Sequence, residues 1–466
     1  MEPLLSAIVS DLLGRALSTV IQRYSRAKAE ETEQKLQRLQ RLLLRIEATV
    51  EEAEGRYITN QTMLRQLEML RQGVYGGHYM LDTFRRTCSS DMDVQKTERV
   101  GKLEKMLDGL ETLMGDMQEF VLFLEGYPRI CRQPYITYLI LGKVMFGRLM
   151  EMETVTSFLL RPEFNPGVLP IVGAARSGKK TLVEHVCLDE RVRTYFSSIV
   201  FFTRHDLGAG NMAALKGTGV IKHQDRTASS HGRSLAVIEL VKDMDEETWE
   251  RLYSSASSFM EHGSKIIITS RSEKIVAFGT VQALRLKYLT EEAYWYFFKA
   301  LAFGSANPED QPKLASIGME IAVLLKGSFL GANIVGSLMR ANLSVEFWSR
   351  VLKCLKDFTS KYLLMYGEDP TDLLRRDQPV CIWRMARTQH AITICKVYRM
   401  PAPQNCVPEL PTAQDILTGR VTDQGDFCMV SWRSTIPPYN TYLARCVSHK
   451  IRYPIANKKR PRQERI

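Results

Sequence analysis

The chain has 466 residues, 45% apolar and 25% charged, enough for several packed domains and too apolar to be disordered or fibrous. Its nine cysteines are scattered without a C-x-x-C pair, which argues against a zinc site or a disulfide framework and for reduced thiols inside a cell. The net charge of +11 is unevenly placed, with 17 Lys and Arg against 9 Asp and Glu in residues 359–466.

The N-terminus is apolar but lacks a basic leader and contains Glu2 and Asp11, so an amphipathic helix is expected rather than a targeting segment. Residues 1–126 read as a four-helix bundle. The first helix, residues 4–23, has a broad apolar stripe. Leu36, Leu39, Leu43, Ile46, Val50 and Ala53 follow a 3-4 spacing that places them on one seam, as do Leu103, Leu107, Leu110, Met114, Met117, Val121 and Leu124. Between these seams lies a helix at residues 61–84, interrupted by Gly73, Gly76 and Gly77. These glycines either kink the helix, the plainer reading, or let a neighbour approach closely.

A linker at residues 127–144 follows; its apolar run from residue 135 to 150 is broken by Lys143 and Arg148 and is too short to span a bilayer. Residues 145–304 then alternate short apolar runs with helical stretches. Strands are expected at 168–172, 198–202, 235–240, 265–269 and 282–286, forming a parallel sheet buried on both faces. Residues 305–358 turn helical again, and 359–466 read as a small, basic, β-rich module with strands at 380–385, 391–398 and 427–432. The fold class is therefore multidomain α plus α/β: bundle, P-loop NTPase-like sheet, helical subdomain and β-rich module. The terminal run Asn457-Lys-Lys-Arg-Pro-Arg462 is either a solvated terminus or a nuclear-import or nucleic-acid patch.

The chemistry concentrates at Gly173-Ala-Ala-Arg-Ser-Gly-Lys-Lys-Thr181. Gly173, Gly178 and Lys179 have the G-x-x-x-x-G-K spacing with which backbone N–H groups wrap a nucleotide's phosphates at a helix N-terminus. Ala174, Ala175, Arg176 and Ser177 form the turn, Lys179 is placed to neutralise phosphate oxygens, and the Thr181 hydroxyl is within reach of the α-phosphate. Lys180, however, stands where a Ser or Thr normally ligates Mg²⁺, and a cation cannot do so. Thr181 points about 100° away and does not replace it.

Strand 234–240 ends in Glu239 where a metal-holding Asp is usual, and Leu240 follows where a catalytic acid would be needed. Arg271, after the strand Ile266-Ile-Ile-Thr-Ser270, is positioned to sense a γ-phosphate. No catalytic triad or metal-ligand cluster emerges, and two deficits in one site predict nucleotide occupancy without turnover.

Together these motifs resemble plant coiled-coil immune receptors of the NLR family, with an Rx-type N-terminal domain and an NB-ARC module. The resemblance extends from residue 1 to about 358. His78-Tyr-Met-Leu-Asp82 corresponds to the acidic motif of the bundle, keeping Leu81 and Asp82. Phe146-Gly-Arg-Leu-Met-Glu151 is similar to the G-R-x-x-E entry sequence, and residues 289–303 are similar to the aromatic stretch after the sheet. Phe329 stands at the proline of the G-L-P-L-A motif, while the M-H-D motif and the leucine-rich period are not found in residues 359–466.

The resemblance implies an ADP- or ATP-controlled switch in the cytoplasm that signals through protein partners. The bundle would pair with another such receptor or with itself. Two alternatives remain: an active P-loop ATPase using Glu239 as metal ligand, or a nuclear, nucleic-acid-associated factor working through residues 458–462.

Overall fold

A computed structural model describes residues 2–56, 58–87, 93–128, 145–163, 165–203, 220–222, 232–240, 243–376, 378–383, 390–400, 410–417, 425–436 and 438–450. The linker from 129 to 144 and the basic run at 458–462 lie outside the described residues. The chain divides into two compact units: residues 1–135 with 289–297 and 309–316, and the remainder.

In the first unit the described N-terminal residues form three helices, α1 (Glu2–Glu54), α2 (Gln61–Thr87) and α3 (Asp93–Leu124). The first two expected helices are one, because no Gly or Pro falls between residues 15 and 54 to stop the ladder. The expected fourth helix is α3, and a further helical segment in this unit comes from far along the chain, in the helix Glu291–Phe303. Leu39, Leu43, Ile46, Leu103, Leu107 and Leu110 are buried as their spacing predicts, whereas Val121 is exposed and Phe120 is buried.

Helix α2 runs unbroken through its glycines, which admit its neighbours. A Cβ on Gly73 would lie 2.9 Å from Leu113 Cδ1, one on Gly76 would lie 3.0 Å from Met106 Cε, and one on Gly77 would collide with Leu43 Cδ2. Trp295 donates its indole N–H to the Asp82 carboxylate at 2.7 Å, and Tyr296 packs against Tyr75 with ring centroids 4.9 Å apart.

The second unit is built on a sheet in the order β3-β2-β4-β5-β1-β6. Its strands are β1 (Gly167–Gly173), β2 (Ser198–Thr203), β3 (Val220–Lys222), β4 (Ser234–Leu240), β5 (Lys265–Ser270) and β6 (Leu284–Leu286). All pairings are parallel except that of the short edge strand β3, which the sequence reading missed.

Alternate side chains feed two cores. Leu169, Ile171, Leu235, Val237 and Ile267 pack with the helices Leu149–Leu160 and Lys179–Cys187. Val168, Val172, Ala236, Ile238, Ile266 and Ile268 pack with Glu246–Phe259. Fully burying each such side chain contributes about 1.5–3 kcal/mol, which is why these strands read as continuous apolar runs.

Beyond the sheet, the helices Pro312–Leu324, Phe329–Arg340 and Val345–Tyr366 follow, the last crossing the boundary expected at 358 and ending at Gly367. A four-stranded antiparallel sheet closes the described chain, ordered β7 (Val380–Trp383), β8 (His390–Met400), β10 (Thr441–Lys450), β9 (Gly425–Arg433). The central strand β10 was not expected from the sequence.

Candidate functional site: a phosphate-type loop with an internal ion pair

The register of the sheet brings the predicted site residues to one edge. Val172 of β1 pairs with Ser270 of β5, which in turn pairs with Leu240 of β4. The three strands therefore end flush, and the loop after Gly173, the carboxylate of Glu239 and Arg271 emerge at the same carboxyl edge. That edge is where open α/β sheets place ligands.

The loop from Ala174 to Gly178 turns through left-handed backbone at Arg176 (φ 59°) and at Gly178 (φ 91°). Gly178 caps the helix Lys179–Cys187, a conformation that glycine adopts without the Cβ penalty. Gly173 is required for a different reason: a Cβ there would sit 2.6 Å from the Leu286 carbonyl. The Ser177 hydroxyl is buried without a hydrogen-bond partner among the described residues.

Lys179 folds back and donates from Nζ to the carbonyls of Gly173 (2.6 Å) and Ala174 (2.7 Å). Burial, followed by the positive charge of Arg271, lowers its pKa to about 8, with Glu239 opposing the shift. Arg271 is thus close enough to be felt electrostatically at the loop. Thr181 lies in the first turn of the helix.

Lys180 reaches across to β4, where its Nζ lies 2.9 Å from Glu239 Oε2, both side chains about two-fifths exposed. The candidate metal ligand is therefore already engaged by an ammonium. A divalent cation at Glu239 would have to compete with the Lys180 ammonium and be repelled by it. Among the described residues no group of three or more His, Cys, Asp or Glu is arranged to hold a metal. Leu240 is buried, and its carbonyl accepts a hydrogen bond from Ser270 Oγ at 3.1 Å.

Several supporting contacts could not be read from the sequence, even where one partner had been singled out. Tyr288 donates its hydroxyl to the Ala175 carbonyl at 2.7 Å, tying the loop to the chain after β6. The entry sequence acts through Arg148, which pairs with Glu151 at 2.7 Å, donates to the Lys287 carbonyl and lies over the Phe329 ring at 6.0 Å. On the outer side of the loop's helix, Glu184 receives Arg399 of β8 at 2.6 and 2.7 Å and Asn440 at 3.1 Å. Apart from the Arg148–Glu151 pair, these contacts join residues more than a hundred positions apart and have no local pattern.

Residues 8–93 match the profile of the Rx N-terminal domain. Disease resistance protein RGA2 of Solanum bulbocastanum is 24% identical over 344 residues, covering 68% of this chain and 35% of that protein. The RPP13-like protein 1 of Arabidopsis thaliana is 23% identical over 397 residues, covering 75% of this chain and 37% of that protein.

Among solved structures, one described as Drosophila ORC bound to DNA aligns with 54% of this chain and 79% of its own, at a TM-score of 0.34 and 11% identity. No described helix is long and apolar enough to cross a membrane. The chain spans about a third of the length of the curated relatives it matches. It carries an Rx N-terminal domain and is distantly homologous, over about two thirds of its length, to plant coiled-coil disease-resistance proteins.

Proposed function

We propose that this protein is a cytoplasmic defence-response scaffold or switch that binds ADP or ATP at residues 173–181 and does not hydrolyse it at a useful rate. The observation that carries the reading is the loop itself: left-handed turns at Arg176 and Gly178, a buried unpartnered Ser177 hydroxyl, and the Lys179 ammonium at its mouth. Backbone N–H groups of Ala174 to Lys179 would receive the phosphates, and Lys179 would neutralise them. Thr181 would bind the α-phosphate, and Arg271 would read the terminal one.

Hydrolysis needs an activated water and a metal or cation that stabilises the leaving oxygens. Glu239 is bound to Lys180 and Leu240 carries no acid, so neither would activate a water. Signalling would then pass through protein partners of the N-terminal helices, either another such receptor or a second copy. Leu122 and Phe123, 69% and 63% exposed near the end of α3, are apolar side chains available for that contact.

The test is a titration of the purified chain with fluorescent ADP and ATP, beside a steady-state hydrolysis assay. Saturable binding that Lys179→Ala abolishes, with phosphate release at background, is the expected result. Mg²⁺-dependent turnover that disappears in Lys179→Ala would sink the scaffold reading and favour an ATPase using Glu239.

A further inference from the structure

We propose that Lys180 is a built-in replacement for the divalent cation, so that this loop binds a nucleoside diphosphate as well without metal as with it. The inference rests on the nucleotide-binding reading above and goes beyond it by specifying the counter-charge.

Three observations converge. Lys180 occupies the first turn of the helix that leaves the loop, at the position from which a hydroxyl would reach a metal. Its ammonium is held 2.9 Å from Glu239 Oε2, the carboxylate that would otherwise hold the metal from the opposite strand. The chain's own charge therefore sits between the helix N-terminus and the end of β4, in the place a cation would occupy. Neighbouring charges complete the case: Arg271 is near enough to Lys179 to help depress its pKa, and Glu239 is near enough to oppose that shift.

A loop lined by Lys179, Lys180 and Arg271 against Glu239 is already cationic, and this favours a bare phosphate anion over its metal complex. The ion pair with Glu239 also orients Lys180. Without that carboxylate the ammonium would be free to swing into solvent, and its contribution to phosphate binding would fall. A tethered monovalent charge neutralises phosphate oxygens but, unlike a metal, carries no water and cannot orient one for attack. Retained binding and lost turnover then share one cause.

The experiment titrates the full chain with fluorescent ADP, in excess EDTA and in millimolar Mg²⁺. The expected wild-type affinities agree within about twofold. Lys180→Thr should bind at least about tenfold more weakly in EDTA, from loss of a charge-assisted contact, and recover when Mg²⁺ is added. Lys180→Met, which removes the charge but keeps the bulk, should be weak in both conditions.

The wild type alone supplies a second readout: electron paramagnetic resonance of Mn²⁺ with the ADP complex should show no protein-dependent bound signal. Wild-type affinity rising tenfold or more with Mg²⁺, or Mn²⁺ held in the complex, overturns the metal-free inference and leaves nucleotide binding intact. Absence of ADP binding in both conditions overturns the nucleotide reading itself, and this inference with it.

Discussion

Arg399 of the C-terminal sheet grips Glu184 of the phosphate-loop helix with two hydrogen bonds of 2.6 and 2.7 Å, and both side chains are less than one-fifth exposed. Asn440 adds a third contact to the same carboxylate. The β-rich module is thereby fastened directly to the helix whose N-terminus faces the candidate ligand. Arg399→Ala leaves a largely desolvated carboxylate with only Asn440, and should destabilise the second unit by about 2 kcal/mol. Urea denaturation of Arg399→Ala, Glu184→Gln and the double variant would check this. The double loss should be smaller than the sum of the singles, and additive losses would mean that the contact does not form.

Lys179 gives nucleotide binding a pH dependence of defined sign. Its pKa in the free protein is lowered to about 8 by burial and by Arg271, so above that pH the unliganded ammonium is increasingly neutral. Bound phosphate favours the charged form, and binding above pH 8 must therefore take up a proton. Affinity for ADP should be flat below pH 7 and fall by up to about tenfold per unit above pH 8. Calorimetry in two buffers of different ionisation heat would detect the proton uptake, and a flat profile to pH 9.5 would refute it.

The glycines of the N-terminal unit separate two opposing effects. Alanine is favoured over glycine in a helix by about 1 kcal/mol. Gly101 and Gly109 have nothing within 4 Å of an added Cβ, so Gly101→Ala and Gly109→Ala should stabilise by up to that amount. Gly77→Ala meets Leu43 in the interface with α1, and the overpacking should cost about 1–3 kcal/mol, enough to outweigh the propensity gain. Thermal unfolding of the three variants distinguishes the cases by sign.

The Trp295–Asp82 hydrogen bond of 2.7 Å joins two buried residues in the same unit. Trp295→Phe keeps most of the apolar contact but removes the indole N–H from the buried Asp82 carboxylate, and should destabilise by about 1–2 kcal/mol. In a double-mutant cycle with Asp82→Asn the two losses should be less than additive, because both remove the same hydrogen bond. Additive losses on denaturant unfolding would show that the indole acts through packing alone.

Regular local patterns made much of this molecule legible. The five parallel strands lie within two residues of their expected ends, since a strand buried on both faces must be a short unbroken apolar run. The seams of α1 and α3 were equally plain through Leu110. The turn at the candidate site, left-handed at Arg176 and Gly178, was read from the spacing of Gly173, Gly178 and Lys179. The joining of the first two helices was missed because periodicity records which face is buried and not whether the ladder between two apolar stretches is continuous. Strand β10 was missed because its outward-facing Arg445 and its bulge break the alternation.

By itself, then, the sequence determined the element types, the order of the strands along the chain and the presence of a loop shaped for phosphate. It also showed that position 180 carries a cation where a metal ligand belongs. Tertiary structure alone decided what that cation does. Lys180 and Glu239 are 59 residues apart and meet only because the ends of β1, β5 and β4 are aligned by their hydrogen-bond register. The same holds for Arg399 on Glu184 and for Trp295 on Asp82, whose partners are chosen by packing across the fold. Local composition encodes backbone preference and burial, whereas the pairing of distant charges depends on how the elements are stacked, and no short-range pattern carries that information.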